Sequence, residues 1–257
     1  MIKIRKLTGK PPVRLIDSGH VADLACRVGT GGFVAALLKM GAQTVEADFV
    51  SIFCLGDRDV PFLVGTDTRT DPHRARLAAE NYQRHWQADR NAELLLDRNN
   101  PGDFLTIQRA ADVKSFTYQR DCYSRPGIAD RISMIRRNKS YALSVSLYRS
   151  AEAGAFPDAL QDDAAAVLHM MLAMTERHMA FSLKGDVWHG KDIQARLALT
   201  YPDLTDRERE VAALAIKGRT AGEIAGILGI AETTVITHRR KAYKRMNVGS
   251  LRQLLSS

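Results

Sequence analysis

The sequence predicts an α+β domain, an antiparallel sheet flanked by helices, followed by an all-α domain of four short helices. Three observations carry this expectation. Up to about residue 150, apolar or alternating runs are separated by turn-forming residues. A long apolar-periodic segment then follows Pro157. Beyond Lys191 the pattern is helical throughout, in short pieces with their own start and stop signals.

In chain order, Val21 to Met40 reads as a helix through Leu24, Val28, Ala35 and Leu38, interrupted by Gly29-Thr30-Gly31-Gly32. Phe49 to Leu55 is a buried strand, and Gly56-Asp57-Arg58-Asp59 turns the chain into its hairpin partner, Val60 to Val64. His73 to Gln87 is a helix and Asn99 to Asp103 a turn. Arg131 to Arg136 and Tyr141 to Tyr148 are strands. The second alternates, with Tyr141, Leu143, Val145 and Leu147 against Ala142, Ser144, Ser146 and Tyr148. Pro157 opens a helix through Phe181 that carries Leu160, Ala164, Leu168, Met171 and Leu172. Residues 1–183 are the expected first domain, 184–199 a linker and 200–257 the second domain.

The second domain opens on a capping box, Thr205-Asp206-Arg207-Glu208, ahead of a helix with Val211, Leu214 and Ala215 on one face. Gly218 ends it, Thr220 caps the next helix with Ile224, Ala225 and Leu228, and Gly229 ends that one. Thr233 and Thr234 start a third helix that buries Val235, Ala242 and Met246, and Ser250 to Leu255 supplies a fourth.

Composition narrows the function classes. With 45% hydrophobic and 26% charged residues the chain is ordinary for a soluble globular protein. No run approaches the roughly 20 apolar residues needed to cross a bilayer, and the basic start lacks a secretory apolar core. A cytoplasmic protein without a membrane partner is expected. Three scattered cysteines, Cys26, Cys54 and Cys122, form neither a disulfide framework nor a zinc motif. His169 and His178 stand nine apart on one helix, on opposite faces, so no metal site is expected. Asp97-x-Asn99-x2-Gly102 lacks the remaining ligands of a calcium loop. No phosphate-binding Gly-x4-Gly-Lys-Ser/Thr and no local nucleophile motif occurs, so neither an enzyme nor a resident cofactor is expected.

The net charge of +8 has a location. From Lys217 to the end there are eight basic residues against two acidic ones, a net +6 in the last 41 residues. Such a terminal footprint suits a polyanionic partner. Ala225, Gly229 and Val235 supply the small residue, turn glycine and core hydrophobe of a helix-turn-helix. On its second helix, Ile236, Thr237, Arg240, Lys241 and Lys244 are expected to face outward. Thr237 and Arg240 suit base edges, while Arg239, Lys241 and Lys244 suit phosphates. Thr220, Thr233 and Thr234 are expected at helix N-termini, where free N–H groups favour a phosphate.

Leu204-Thr205-Asp206-Arg207-Glu208-Arg209-Glu210-Val211, then Gly218-Arg219-Thr220-x2-Glu223-Ile224-Ala225-x2-Leu228-Gly229-Ile230 and Thr233-Thr234-Val235-x2-His238, resembles the LuxR/GerE-type DNA-binding domain. The resemblance covers residues 200–257 and implies a four-helix module of a bacterial transcription regulator. It implies binding to double-stranded DNA as a homodimer on a pseudo-palindromic operator, with Ile236, Thr237 and Arg240 reading bases. It also implies a dimer contact through Val248, Leu251 and Leu254. Ile236 departs from the polar or basic residue usual at its position, so an apolar contact with a thymine methyl is expected there.

For the first domain the order helix, two strands, helix, two strands, long helix is similar to GAF/PAS-like sensors. The aromatic residues Phe49, Phe53, Phe62, Tyr82, Trp86, Phe104, Tyr123 and Tyr141 are candidates to line a cavity for a small organic ligand. The expected function is therefore a regulator whose first domain senses a small molecule and controls dimeric operator binding. Two alternatives stand beside it: control by a protein partner, and an acyl-homoserine-lactone receptor with an atypical pocket. Lactone sensors use a Trp, a Tyr and an Asp-Pro in a set order. Here Trp86 follows Tyr82, and Asp71-Pro72 precedes both.

Overall fold

The computed structural model describes residues 3–7, 16–56, 60–97, 99–181 and 193–249. Most of the expected linker and the expected helix Ser250 to Leu255, with Leu251 and Leu254, lie outside the described residues. The chain divides into two compact units, Met1–His178 and Met179–Ser257.

The first unit is built on strands β1 (Lys3–Leu7), β2 (Phe49–Leu55), β3 (Phe62–Thr68), β4 (Gly102–Arg109), β5 (Ile128–Arg137) and β6 (Ala142–Ser150). They form one six-stranded sheet in the order β1-β4-β5-β6-β2-β3, every neighbouring pair antiparallel. Helices α1 (Ser18–Arg27), α2 (Phe33–Val45), α3 (Pro72–His85), α4 (Asn91–Leu96), α5 (Phe116–Gln119) and α6 (Gln161–Phe181) accompany it. A π-helical turn, Arg120–Ser124, continues α5.

Both faces of the sheet are covered, which makes this an α+β unit with helices on each side. On one face α2 comes so close to β6 that a Cβ on Gly41 would lie 2.7 Å from Leu147. On that face too, Arg136 of β5 binds Asp103 of β4 through two hydrogen bonds (2.8 and 2.7 Å) and Glu176 of α6 at 2.6 Å. Tyr141 donates to the same Glu176 at 2.6 Å, fastening α6 to the sheet. On the opposite face Tyr82 of α3 packs on Phe53 of β2, ring centroids 4.6 Å apart. At the end of the unit, His178 stacks on Phe33 at 4.1 Å and its Nδ1 accepts the Gly29 N–H at 3.1 Å. Burial lowers its pKa to about 4, so the neutral ring fits that acceptor role.

Several elements differ from expectation for identifiable reasons. The helix expected over Val21 to Met40 is two helices, α1 and α2, because Gly29 adopts φ +79° and the chain starts afresh from Gly32. Asp17 caps α1 by accepting from Gly19 and His20 N–H. Strand β3 starts later than Val60, since Pro61 has no N–H to give a ladder. Strand β4 begins inside the expected turn, and β1 was not expected at all. β1 is a basic, exposed edge strand whose Lys and Arg residues hide its strand character while blunting the edge.

The second unit contains α7 (Ile193–Thr200), α8 (Asp206–Ile216), α9 (Ala221–Leu228) and α10 (Glu232–Arg245). Both expected helix starts, at Thr205 and Thr220, are full capping boxes, with Glu208 and Glu223 reaching back to the cap N–H. Val211, Ala215, Ile224 and Val235 form one buried cluster, and Leu197, Leu204, Ala212, Ala242 and Met246 another. Arg245 Nη1 ties the end of α10 to the start of α8 through Glu208 (2.5 Å) and the Asp203 carbonyl (2.9 Å). Thr233 and Thr234 do not cap α10, contrary to expectation. Ala231 is the cap residue, without a side-chain cap bond, because the helix begins one residue earlier, at Glu232.

No helix among the described residues is long and apolar enough to cross a membrane. None of their His, Cys, Asp and Glu residues gather in a group of three or more able to hold a metal ion.

Candidate ligand cavity and nucleic-acid interface

Two places in the molecule gather chemistry. In the second unit, α9 ends at Gly229, whose φ of +63° turns the chain into α10 while the Ile230 N–H returns to the Ala225 carbonyl at 3.1 Å. Val235, fully buried, seats α10 on α8 and α9. This fixes which face of α10 looks out. Ile236 (46% exposed), Thr237, Arg240, Lys241 and Lys244 are exposed and Arg239 is half-buried. The four basic side chains make no hydrogen bond or ion pair with the described residues, so their charge is available to a partner. Thr237 Oγ1 donates back to the Thr233 carbonyl at 2.9 Å, which leaves its lone pairs and methyl outward. Thr220 is exposed, yet both its N–H and its hydroxyl are occupied by Glu223. Thr233 and Thr234 lie in the first turn of α10 as ordinary helical residues.

In the first unit the register sets a row of hydroxyls across the α3-covered face: Thr66, Ser51, Ser146, Ser133 and Thr106 on five adjacent strands. Ser133 and Ser146 are hydrogen-bonded at 2.8 Å, and Ser51 pairs with the Tyr148 hydroxyl at 2.8 Å. Above the Thr66–Ser51 end lies a cavity with about 30 Å³ of space open to water. Phe49, Phe53, Tyr82 and Tyr123, four of the eight expected residues, line it. Trp86 packs in the same aromatic cluster without lining the cavity.

The other three lie elsewhere. Phe62 sits on β3 opposite Cys54. Phe104 belongs to a separate cluster with Leu55, Leu95 and Ile135, under the Arg137 guanidinium at 4.6 Å. Tyr141 faces α6 through Glu176. Sequence reading missed Ser51, Thr66, Tyr118, Arg131 and Tyr148, all on the cavity wall. The signal was present in the serine alternation of β6, which looks solvent-facing until α3 to α5 cover it.

Arg131 dominates the electrostatics. It is 3% exposed and binds both oxygens of Asp89 at 2.8 and 2.9 Å, with Gln108 Oε1 at 2.5 Å and the Tyr118 hydroxyl at 3.4 Å. Burial opposes its charge, but the Asp89 carboxylate bound to both terminal nitrogens outweighs burial and keeps it protonated. Burial likewise raises Tyr82, Tyr118 and Tyr123 well above the usual tyrosine range, so they remain neutral hydroxyls. Cys122, on the same wall, is pushed by burial up to about 12 and is an unreactive thiol at neutral pH.

The second unit thus defines a class, a helix-turn-helix with an exposed cationic second helix. Residues 202–257 match the family described as bacterial regulatory proteins, luxR family, and form a LuxR-type helix-turn-helix domain. The tetrathionate response regulatory protein TtrR of Salmonella typhimurium is 42% identical over 59 residues. Those residues are 23% of this chain, and the match spans only 29% of the length of that relative. Among solved structures, SdiA in complex with octanoyl-rac-glycerol is similar at a TM-score of 0.50 and 17% identity, over 94% of each chain. It shares the fold, an antiparallel sheet with helices followed by a helical module. A crystal structure of Escherichia coli SdiA is similar at a TM-score of 0.46 and 17% identity, over 92% of this chain and 94% of that one.

Proposed function

We propose that this chain is a DNA-binding transcriptional regulator in which residues 1–183 sense a small molecule, 184–199 link, and 200–257 bind DNA. A dimer binds a pseudo-palindromic operator, and the ligand shifts the population of the binding-competent dimer. The observation that carries the reading is the exposed row Thr237, Arg240, Lys241 and Lys244 on α10, its three basic side chains without a partner among the described residues, within a luxR-family domain. Thr237 and Arg240 meet base edges, Ile236 meets a thymine methyl, and Arg239, Lys241 and Lys244 meet phosphates. The buried cavity and the SdiA structure with a bound octanoyl-glycerol support a sensing role for the first domain.

Selection of duplexes from a random library by the full chain, followed by footprinting, tests the DNA half. The expected product is a pair of two-fold-related half-sites about 10 base pairs apart. A library that shows no enrichment refutes it. Native mass spectrometry of protein purified from its own host tests the sensing half, where a stoichiometric small molecule is expected.

A further inference from the structure

The cavity of the first unit is specific about what it takes. Two residues of its wall, Tyr123 and Arg131, each carry a buried donor without an acceptor among the described residues. Tyr123 Oη, on a residue 1% exposed, makes no hydrogen bond of good geometry, although the Tyr118 side chain lies near it. The Nε of Arg131 is likewise unpartnered, while the terminal nitrogens of the same side chain are filled by Asp89 and Gln108. Buried donors are rarely left open, and two on one cavity mark where an acceptor from outside the chain belongs.

Charge and shape narrow the choice. The carboxylate of Asp89 already neutralises Arg131, and the other polar side chains on the wall are hydroxyls and the neutral Cys122 thiol. An anion would have to displace Asp89, and a cation would find both Asp89 oxygens taken. Phe49, Phe53, Tyr82, Tyr118, Tyr123 and Tyr148 surround the space with rings, which favours a flat partner. The space open at present suits one or two waters, whereas a benzene-sized guest occupies a cavity of about 150 Å³. Enlargement falls to the segment 116–124, which contributes Tyr118, Cys122 and Tyr123 and contains the π-helical turn. The space open at present is nearer to the needs of a single ring than to those of a long acyl chain.

We propose that the cavity between β2, α3, β5 and the 116–124 turn binds a compact, planar, uncharged molecule with a carbonyl or ring-nitrogen acceptor, held by Tyr123 and Arg131 Nε. This rests on the sensing role proposed above and names the ligand class for that site.

Benzamide serves as the probe, with benzoate and benzylamine as its charged counterparts and octanoyl-glycerol as a neutral chain. Titration of the full chain, followed by calorimetry and ligand-observed NMR, is expected to give one saturable benzamide site per chain. Benzoate and benzylamine bind at least tenfold more weakly, and octanoyl-glycerol does not displace benzamide. Tyr123→Phe removes an unfilled donor, so it leaves Tm unchanged or raises it, while weakening benzamide up to about tenfold. A merely structural hydroxyl would not separate the two readouts.

No saturable benzamide site, equal binding of either ion, displacement by octanoyl-glycerol, or an unchanged affinity in Tyr123→Phe overturns the proposal. Two variants that fill the cavity, Ala78→Phe and the milder Thr66→Leu, separate this from failure of the sensing role. If benzamide fails but another molecule binds and is excluded by either folded variant, only the ligand class is wrong. If nothing binds and both folded variants regulate DNA binding like the parent, the sensing role falls as well.

Discussion

The cations of strand β5 and those on the outer face of α10 are placed in opposite ways. In the first unit, two arginines of the central strand β5 are held inside and neutralised: Arg131 by Asp89, and Arg136 by Asp103 and Glu176. In the second, Arg240, Lys241 and Lys244 stand in solvent on one face of α10 without a partner among the described residues. These inner pairs join strands and helices on the two faces of the sheet, Arg131 beside the cavity and Arg136 under α6, where removing one partner strands the other. The second leaves charge outside, where removing a side chain costs the fold little and a polyanion much. The same residue type is thus a structural partner on β5 and at Arg245, and a free surface charge at Arg240.

The largest effect should come from breaking the internal pair. Asp89→Ala leaves the Arg131 guanidinium buried and uncompensated, and should destabilise the first unit by about 3–5 kcal/mol in urea unfolding. The double replacement Asp89→Leu with Arg131→Met should recover much of that loss, since a buried pair gains little over apolar side chains of similar volume. A loss below about 1 kcal/mol for the single variant would mean that water reaches the pair. Arg240→Ala is the counterpart in the second unit. Stability should stay within about 0.5 kcal/mol of the parent. Operator affinity should fall by about 1–3 kcal/mol, roughly 5- to 150-fold, if Arg240 reads a base. Full affinity would remove it from the interface.

This contrast also explains what the sequence made legible. The second unit could be read almost helix by helix, because its signals are local. Thr205 with Glu208, Thr220 with Glu223, and the Gly229 turn each lie within a few residues, and the exposed face of α10 follows from 3.6-residue periodicity once Val235 is placed inside. Thr233 and Thr234 misled because hydroxyls before an apolar run imitate a cap, while the true cap residue, Ala231, has no polar side chain to announce it. The first unit's class and central strands were legible, and its cavity only by half. The cavity wall is drawn from residues 49 to 148, and register, not proximity in sequence, sets Ser51 beside Thr66 and Arg131 beside Tyr148. Phe104 and Tyr141 share the aromatic character of the wall but sit on other clusters, a distinction that only strand pairing decides. β1 escaped because charged residues occupy most of it, and β4 because its first residues, Gly102 and Asp103, continue the turn-forming run before it.

A smaller effect tests how far the second unit's stability is local. Thr220 Oγ1 both accepts from the Glu223 N–H and donates to the Glu223 carboxylate, so Thr220→Ala removes the side-chain half of one capping box and leaves the backbone N–H bond to Glu223 in place. The expected cost is about 1 kcal/mol in the unfolding of this unit, with the first unit unaffected. Thr220→Ser should restore most of it. An equal loss in both variants would assign the effect to the methyl group rather than to the cap.

The smallest change asks whether α10's outer charge meets phosphate or base. Lys244 lies two helical turns beyond Thr237 on the exposed face, near the C-terminal end of α10. A lysine on a phosphate adds affinity through counterion release and carries no sequence information. Lys244→Ala should therefore weaken operator and random duplex by the same factor. In a plot of log affinity against log salt it should reduce the slope by about 0.9 for each protomer bound, hence by nearly twice that for a dimer. Arg240→Ala, in contrast, should narrow the gap between operator and random duplex. If Lys244→Ala instead lowered operator affinity alone and left the slope intact, α10 would enter the groove with its C-terminal half. The base-reading positions would then shift away from Ile236 and Thr237 toward the end of the helix.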